Sequence, residues 1–63
     1  MVVIYMYEKD GFLVKAFVSG GKCYMKFSYE TLAKKYHCEN AFLAIELAKV
    51  IVDFYLGDTK QNE

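Results

Sequence analysis

Cys23, His37 and Cys38 are the residues of this chain best equipped for chemistry: two thiols and the single imidazole in 63 residues. Such a trio suggests a soft-metal site or a Cys/His nucleophile pair. Structural zinc takes four ligands, usually in closely spaced pairs, and an adjacent His37-Cys38 with one distant Cys23 lacks that spacing. Adjacency in sequence does not place a sulfur on an imidazole, and no acid is positioned to orient the ring. The carboxylates Glu8, Asp10, Glu30, Glu39, Glu46 and Asp53 are scattered, each with a lysine near it, a pattern of solubility and helix pairing. Gly20-Gly21 opens no helix and therefore cradles no phosphate. We expect no catalytic residue, no metal and no cofactor. The thiols are expected to be reduced, with Cys23 buried and Cys38 at a turn between helices.

A second set of residues is suited to contact rather than catalysis. Met1 to Tyr7, Phe12 to Val18 and Cys23 to Phe27 are rich in β-branched and aromatic residues. Glu8-Lys9-Asp10-Gly11 and Ser19-Gly20-Gly21-Lys22 separate them with turn-forming residues, which predicts a three-stranded antiparallel meander. Alternation along each strand sorts the side chains onto two faces. Val2, Ile4, Met6, Val14, Ala16, Val18, Cys23, Met25 and Phe27 form a wholly apolar face, the expected core. The opposite face collects Val3, Tyr5, Tyr7, Leu13, Lys15, Phe17, Tyr24 and Lys26. Of these, Tyr5, Tyr7, Lys15, Phe17, Tyr24 and Lys26 make a candidate ligand face, where rings would stack on unpaired bases and ammonium groups would meet phosphates.

These strands need something to cover them. Ser28 is a suitable cap for a short helix with Tyr29, Leu32, Ala33 and Tyr36 as its apolar stripe and Glu30/Lys34 as an outer i, i+4 pair. Asn40 would cap a longer helix, Ala41 to Leu56, closed by Gly57. In its spacing, Thr31 to Leu47 resembles a helix-turn-helix. That motif would offer Glu39, Asn40, Phe42 and Glu46 to a DNA groove, and acidic and apolar groups read DNA poorly. A plain helical pair accounts for the same spacing.

The long helix carries only Glu46, Lys49 and Asp53 as charges, on a narrow stripe, and is apolar on both flanks. Leu43, Leu47, Val50 and Phe54 follow one flank; Ala41, Ile45, Ala48, Val52 and Tyr55 follow the other. One flank suffices for the sheet, so the second calls for a partner. Ala41, Phe42, Ile45, Ala48, Val52 and Tyr55 are the expected partner-facing set, with small Ala41 and Ala48 permitting close helix approach. The expectation is an α+β domain of order βββαα over residues 1–57, dimeric through its long helix, with a polar tail over 58–63.

Composition bounds the function. Eight lysines and eight acids cancel, with no arginine, which argues against a duplex backbone as the main ligand. No basic segment precedes Met1–Tyr7, and the long apolar stretch is shorter than a membrane span. A chain of this length buries only about 60% of its unfolded surface, and a second subunit is one way to add core. The sequence therefore predicts a cytoplasmic protein-interaction module that pairs with itself and works as a regulator or inhibitor by occupying an unidentified protein. A nucleic-acid-binding protein using the aromatic and lysine face is the alternative.

Overall fold

The structure, a computed structural model, describes residues 1–60. Four strands, β1 (Val2–Lys9), β2 (Phe12–Ser19), β3 (Lys22–Tyr29) and β4 (Leu32–Cys38), form an antiparallel sheet in that order, and one helix, α1 (Ala41–Lys60), crosses one face of it. The α+β class stands; the arrangement is ββββα rather than βββαα.

Each strand pair is joined by a two-residue turn. Asp10-Gly11 and Gly20-Gly21 have positive φ at both central residues (50° and 85°; 59° and 76°), the backbone sense that matches the twist of the flanking strands. The third turn, Glu30-Thr31, is built without glycine, and Glu30 takes φ 53°. This turn corrects the expected short helix. Thr31–His37 contains good helix formers, Leu, Ala and Lys. Yet the segment gains a full ladder of backbone bonds by lying along β3, with Tyr29 opposite Leu32 and Cys23 opposite Cys38, and this hairpin pairing overrides helix propensity.

The register also corrects the faces of β1. A two-residue turn that sets Lys9 opposite Phe12 sets Tyr7 opposite Val14 and Tyr5 opposite Ala16. Residues directly opposite share a face. Tyr5 and Tyr7 therefore lie on the helix side with the core, and Met6 lies outside, opposite Lys15. An irregularity between Val3 and Tyr5 adds one residue to β1 at Ile4, and beyond it Val2 pairs with Val18 and Val3 with Phe17.

Asn40 caps α1 as expected: its side-chain Oδ1 accepts from the Leu43 N–H at 2.8 Å, and its carbonyl accepts from the Ala44 N–H at 3.1 Å. Gly57 is not the cap, because the helix continues through it to Lys60. Of the expected polar tail, residues 58–60 belong to α1 and the remainder lies outside the described residues. The core is a single layer between sheet and helix: Val14, Ala16 and Met25 below, Ala44, Ala48 and Val52 above, all at or near complete burial. Small Ala44 and Ala48 let the helix axis settle close to the sheet. At one end Phe12 joins a ring cluster, stacked on Tyr55 at 4.1 Å between centroids and edge-on to Tyr7 and Tyr29.

Candidate functional site

Two surfaces stand out, on opposite sides of the sheet. The first is the outer face, on the side of the sheet away from α1. Its residues form in-register rows across the strands: Val3, Phe17, Tyr24 and His37 in one; Met6, Lys15, Lys26 and Lys35 in the next; Glu8, Leu13, Ser28 and Ala33 beyond. Lys22, opposite Ser19, lies on this face as well. The aromatic row is in contact along its length, with Phe17 stacked on Tyr24 at 5.4 Å and Tyr24 tilted against His37 at 5.5 Å. Phe17 is only 6% exposed although it does not belong to the core cluster, so the outer face has a small packed centre of its own. The lysine arms lean over these rings, Lys35 Nζ at 4.7 Å from the Tyr24 centroid and Lys15 Nζ at 5.7 Å from that of Phe17.

Of the six residues expected to form a ligand face, the structure brings together Lys15, Phe17, Tyr24 and Lys26 and moves Tyr5 and Tyr7 to the core side. It adds Lys35, expected in the short helix, and His37, expected at the turn that follows it. Their signal was the spacing of the strands, which begin at residues 2, 12, 22 and 32. An even spacing of 8–12 residues is a strand signature that extends past the last glycine turn.

The second surface is the seam between α1 and β4. The helix lies mainly over β2 and β3, leaving the helix-side residues of edge strand β4 largely uncovered. At one end of the seam Phe12, Phe27, Tyr29, Leu32, Ile51, Phe54 and Tyr55 line an open cleft of about 540 Å³. At the other, His37, Cys38, Glu39, Leu43, Glu46, Leu47 and Val50 line a shallower one of about 430 Å³. Phe54, Val50 and Phe42 are 72%, 57% and 68% exposed, and Leu32, Tyr36 and Leu43 are exposed too. Here the two helix flanks exchange the roles expected of them. Ala48 and Val52 are buried under the helix, Ile45 and Tyr55 pack beside them, and Ala41 is half-buried. The open flank is instead Leu43, Val50 and Phe54, with Phe42 exposed as anticipated. Both flanks have helical periodicity; the alanines decide, because a flat sheet accepts small residues at closest approach.

Cys23 and Cys38 are neighbours after all, opposite one another on β3 and β4, and both are free thiols. Burial pushes the Cys38 thiol above its ordinary value, and the neighbouring Cys23 adds to the shift. Among the described residues no cluster of three or more His, Cys, Asp or Glu side chains could hold a metal ion, and no helix is long and apolar enough to cross a membrane. No family model matches the chain, and no curated protein or solved structure matches it.

Proposed function

We propose that the chain is a protein-interaction module whose first partner is a second copy of itself, docked along the α1/β4 seam. The observation that carries this reading is the continuous exposed apolar strip of Leu32, Leu43, Val50 and Phe54 beside an open aromatic cleft. A contiguous apolar surface of this kind marks a contact site. Weighted by its exposure, the strip would contribute about 3–6 kcal/mol per copy if fully covered. Two copies together would contribute about twice that, against roughly 4–15 kcal/mol for association. The largest surplus these ranges allow is about 8 kcal/mol, so micromolar affinity is the tightest this contact would reach, and the dimer is expected to be weak and concentration-dependent rather than an obligate pair.

A two-fold contact is self-complementary. It would seat Phe54 of each copy against the other's cleft, in the manner of an aromatic anchor. Edge-to-edge strand pairing is the less suitable route: β4 carries Lys34 and Lys35, and β1 is interrupted at Ile4, both devices that discourage strand addition. A regulator or inhibitor built this way would act by offering the same strip to another protein, so that dimerisation and partner binding compete. A reducing cytoplasm suits its two free thiols.

Sedimentation velocity between about 1 and 100 μM, a range spanning micromolar affinity, tests the proposal. The wild type is expected to shift from monomer to dimer across this range and Phe54→Lys to remain a folded monomer. A wild type that stays monomeric throughout, or a Phe54→Lys protein that dimerises like it, refutes the seam as the self-contact.

A further inference from the structure

We infer that the outer face of the sheet is a binding site for single-stranded nucleic acid, with Tyr24 and His37 as the base-stacking surface and the Lys15–Lys26–Lys35 row as the phosphate contact. This inference does not rest on the dimer: His37, on the edge strand, also reaches the shallow cleft of the seam, but Tyr24 and the lysine row lie on the opposite side of the sheet.

Charge is the first support. The whole chain is neutral, but the outer face of the sheet carries a local excess of positive charge. Four of the eight lysines, Lys15, Lys22, Lys26 and Lys35, lie on the outer face with one acid, Glu8, a net of +3 (four less one). Asp10 and Glu30 sit in turns and Glu39 in the connection to α1, while Glu46 and Asp53, with Lys49 between them in sequence, project from α1 on the other side. Three lysines directly opposite one another across adjacent strands repel. Among the described residues none of the three forms an ion pair; Lys15 and Lys35 instead lie over rings. A row of like charges of this kind is relieved by an anion that runs across the strands.

Geometry is the second support. The aromatic row lies two residues along each strand from the lysine row, about 7 Å away, and neighbours within a row are about 4.8 Å apart. A polyanion laid over the lysines would therefore pass beside the half-buried ring of Tyr24 and the exposed ring of His37. Every base has a π-face, so stacking of this type tolerates any sequence. When a strand binds, the ammonium group of Lys35 swings from the Tyr24 ring to a phosphate, and a base takes its place over the ring. Phe17, buried beneath Lys15, is the floor that fixes Tyr24 and is not itself a stacking surface. A duplex hides its base faces and fits this arrangement poorly.

The test is fluorescence anisotropy of a labelled oligonucleotide of about twelve nucleotides, comparable with known single-strand site sizes, as DNA, as RNA and as the DNA duplex. The full chain is titrated to about 100 μM, within the usual non-specific range. We expect either or both single strands to bind more tightly than the duplex, with log affinity falling against log salt at a slope of about −2 to −3 for three to four lysines. Tyr24→Ala is expected to weaken binding about fivefold or more, in line with loss of one stacked base (~1–3 kcal/mol). Lys26→Gln, an exposed change that leaves the fold alone, is expected to flatten the slope by about 0.7, and the Phe54→Lys chain is expected to bind as the wild type does. Absence of single-strand binding at 50 mM salt, equal or tighter duplex binding, or a Lys26→Gln slope identical to the wild type overturns the inference. If Tyr24→Ala does not fold, His37→Ala, at an exposed edge position, supplies the stacking arm, and unchanged affinity there overturns it equally.

Discussion

The orientation of α1 decides which flank is open to a partner, and Ala48→Leu tests it. Ala48 has 0% exposure and lies with Ala44 and Val52 over Val14, Ala16 and Met25, the last three likewise at 0%. No neighbour has room to give, so a leucine here must push the helix away from the sheet. Overpacking of this kind costs about 1–3 kcal/mol. A domain of this length has roughly 3–9 kcal/mol in all, at 0.05–0.15 kcal/mol per residue. A loss near 2 kcal/mol would lower the urea midpoint by about 2 M, given a slope of about 1 kcal/mol per M for a very small protein. The assay is urea unfolding followed by far-UV circular dichroism at a low and a high protein concentration. Were Ala48 turned toward a second copy, leucine would instead add apolar contact area, and the midpoint would rise with concentration. A midpoint unchanged or raised at both concentrations would refute the packing of α1 described above.

Two further perturbations separate strand from helix and probe the thiol pair. Glu30 is held at φ 53°, a conformation costing a non-glycine residue about 1–2 kcal/mol, so Glu30→Gly should stabilise the protein by about 0.5–1 kcal/mol after glycine's greater unfolded-state entropy is subtracted. Inside a helix the same change would destabilise by about 1 kcal/mol, so the sign of the shift in urea midpoint reports which structure the segment adopts. The folded Cys38 thiol holds its proton more tightly than the unfolded one, through burial and then through Cys23. Its contribution to stability is therefore fully present below the unfolded value of about 8.5 and is lost as pH rises through the folded value. Stability measured from pH 7 to pH 10 should fall more steeply in the wild type than in Cys38→Ala; equal slopes would show that this thiol is not the source.

Legibility of the fold from sequence followed the turns. Asp10-Gly11 and Gly20-Gly21 announce themselves, because glycine is the usual way to reach positive φ, and the strands on either side of them were readable. Glu30-Thr31 also joins two strands in two residues, but with positive φ at Glu30 alone and with residues that give no such sign. Without it Leu32–Cys38 presents Leu, Ala and Lys in an order that a helix accepts equally well. The β1 faces failed for a different reason. Alternation gives the two sets of side chains but not which set faces the core; that follows from the turn, whose two residues force Tyr7 opposite Val14. Ile4 then hides the error locally, since its extra residue returns Val2 to the face that alternation had assigned it.

The outer face shows how these two misreadings combine. Reading β4 as a helix and a turn removes Lys35 and His37 from the sheet; reading β1 out of phase adds two tyrosines that belong beneath the helix. What remained was a face rich in rings with two lysines, and an even charge count then weighed against a polyanion. The register replaces it with fewer rings and a row of three lysines, and the same even count acquires another meaning. Neutrality over the whole chain constrains long-range attraction, but a ligand in contact meets the local field, and screening removes charges more than about 10 Å away at ordinary salt. Glu46 and Asp53 lie beyond the sheet from Lys26, with the core layer between them, so their negative charge offsets little of the row's potential at the surface where a ligand would lie.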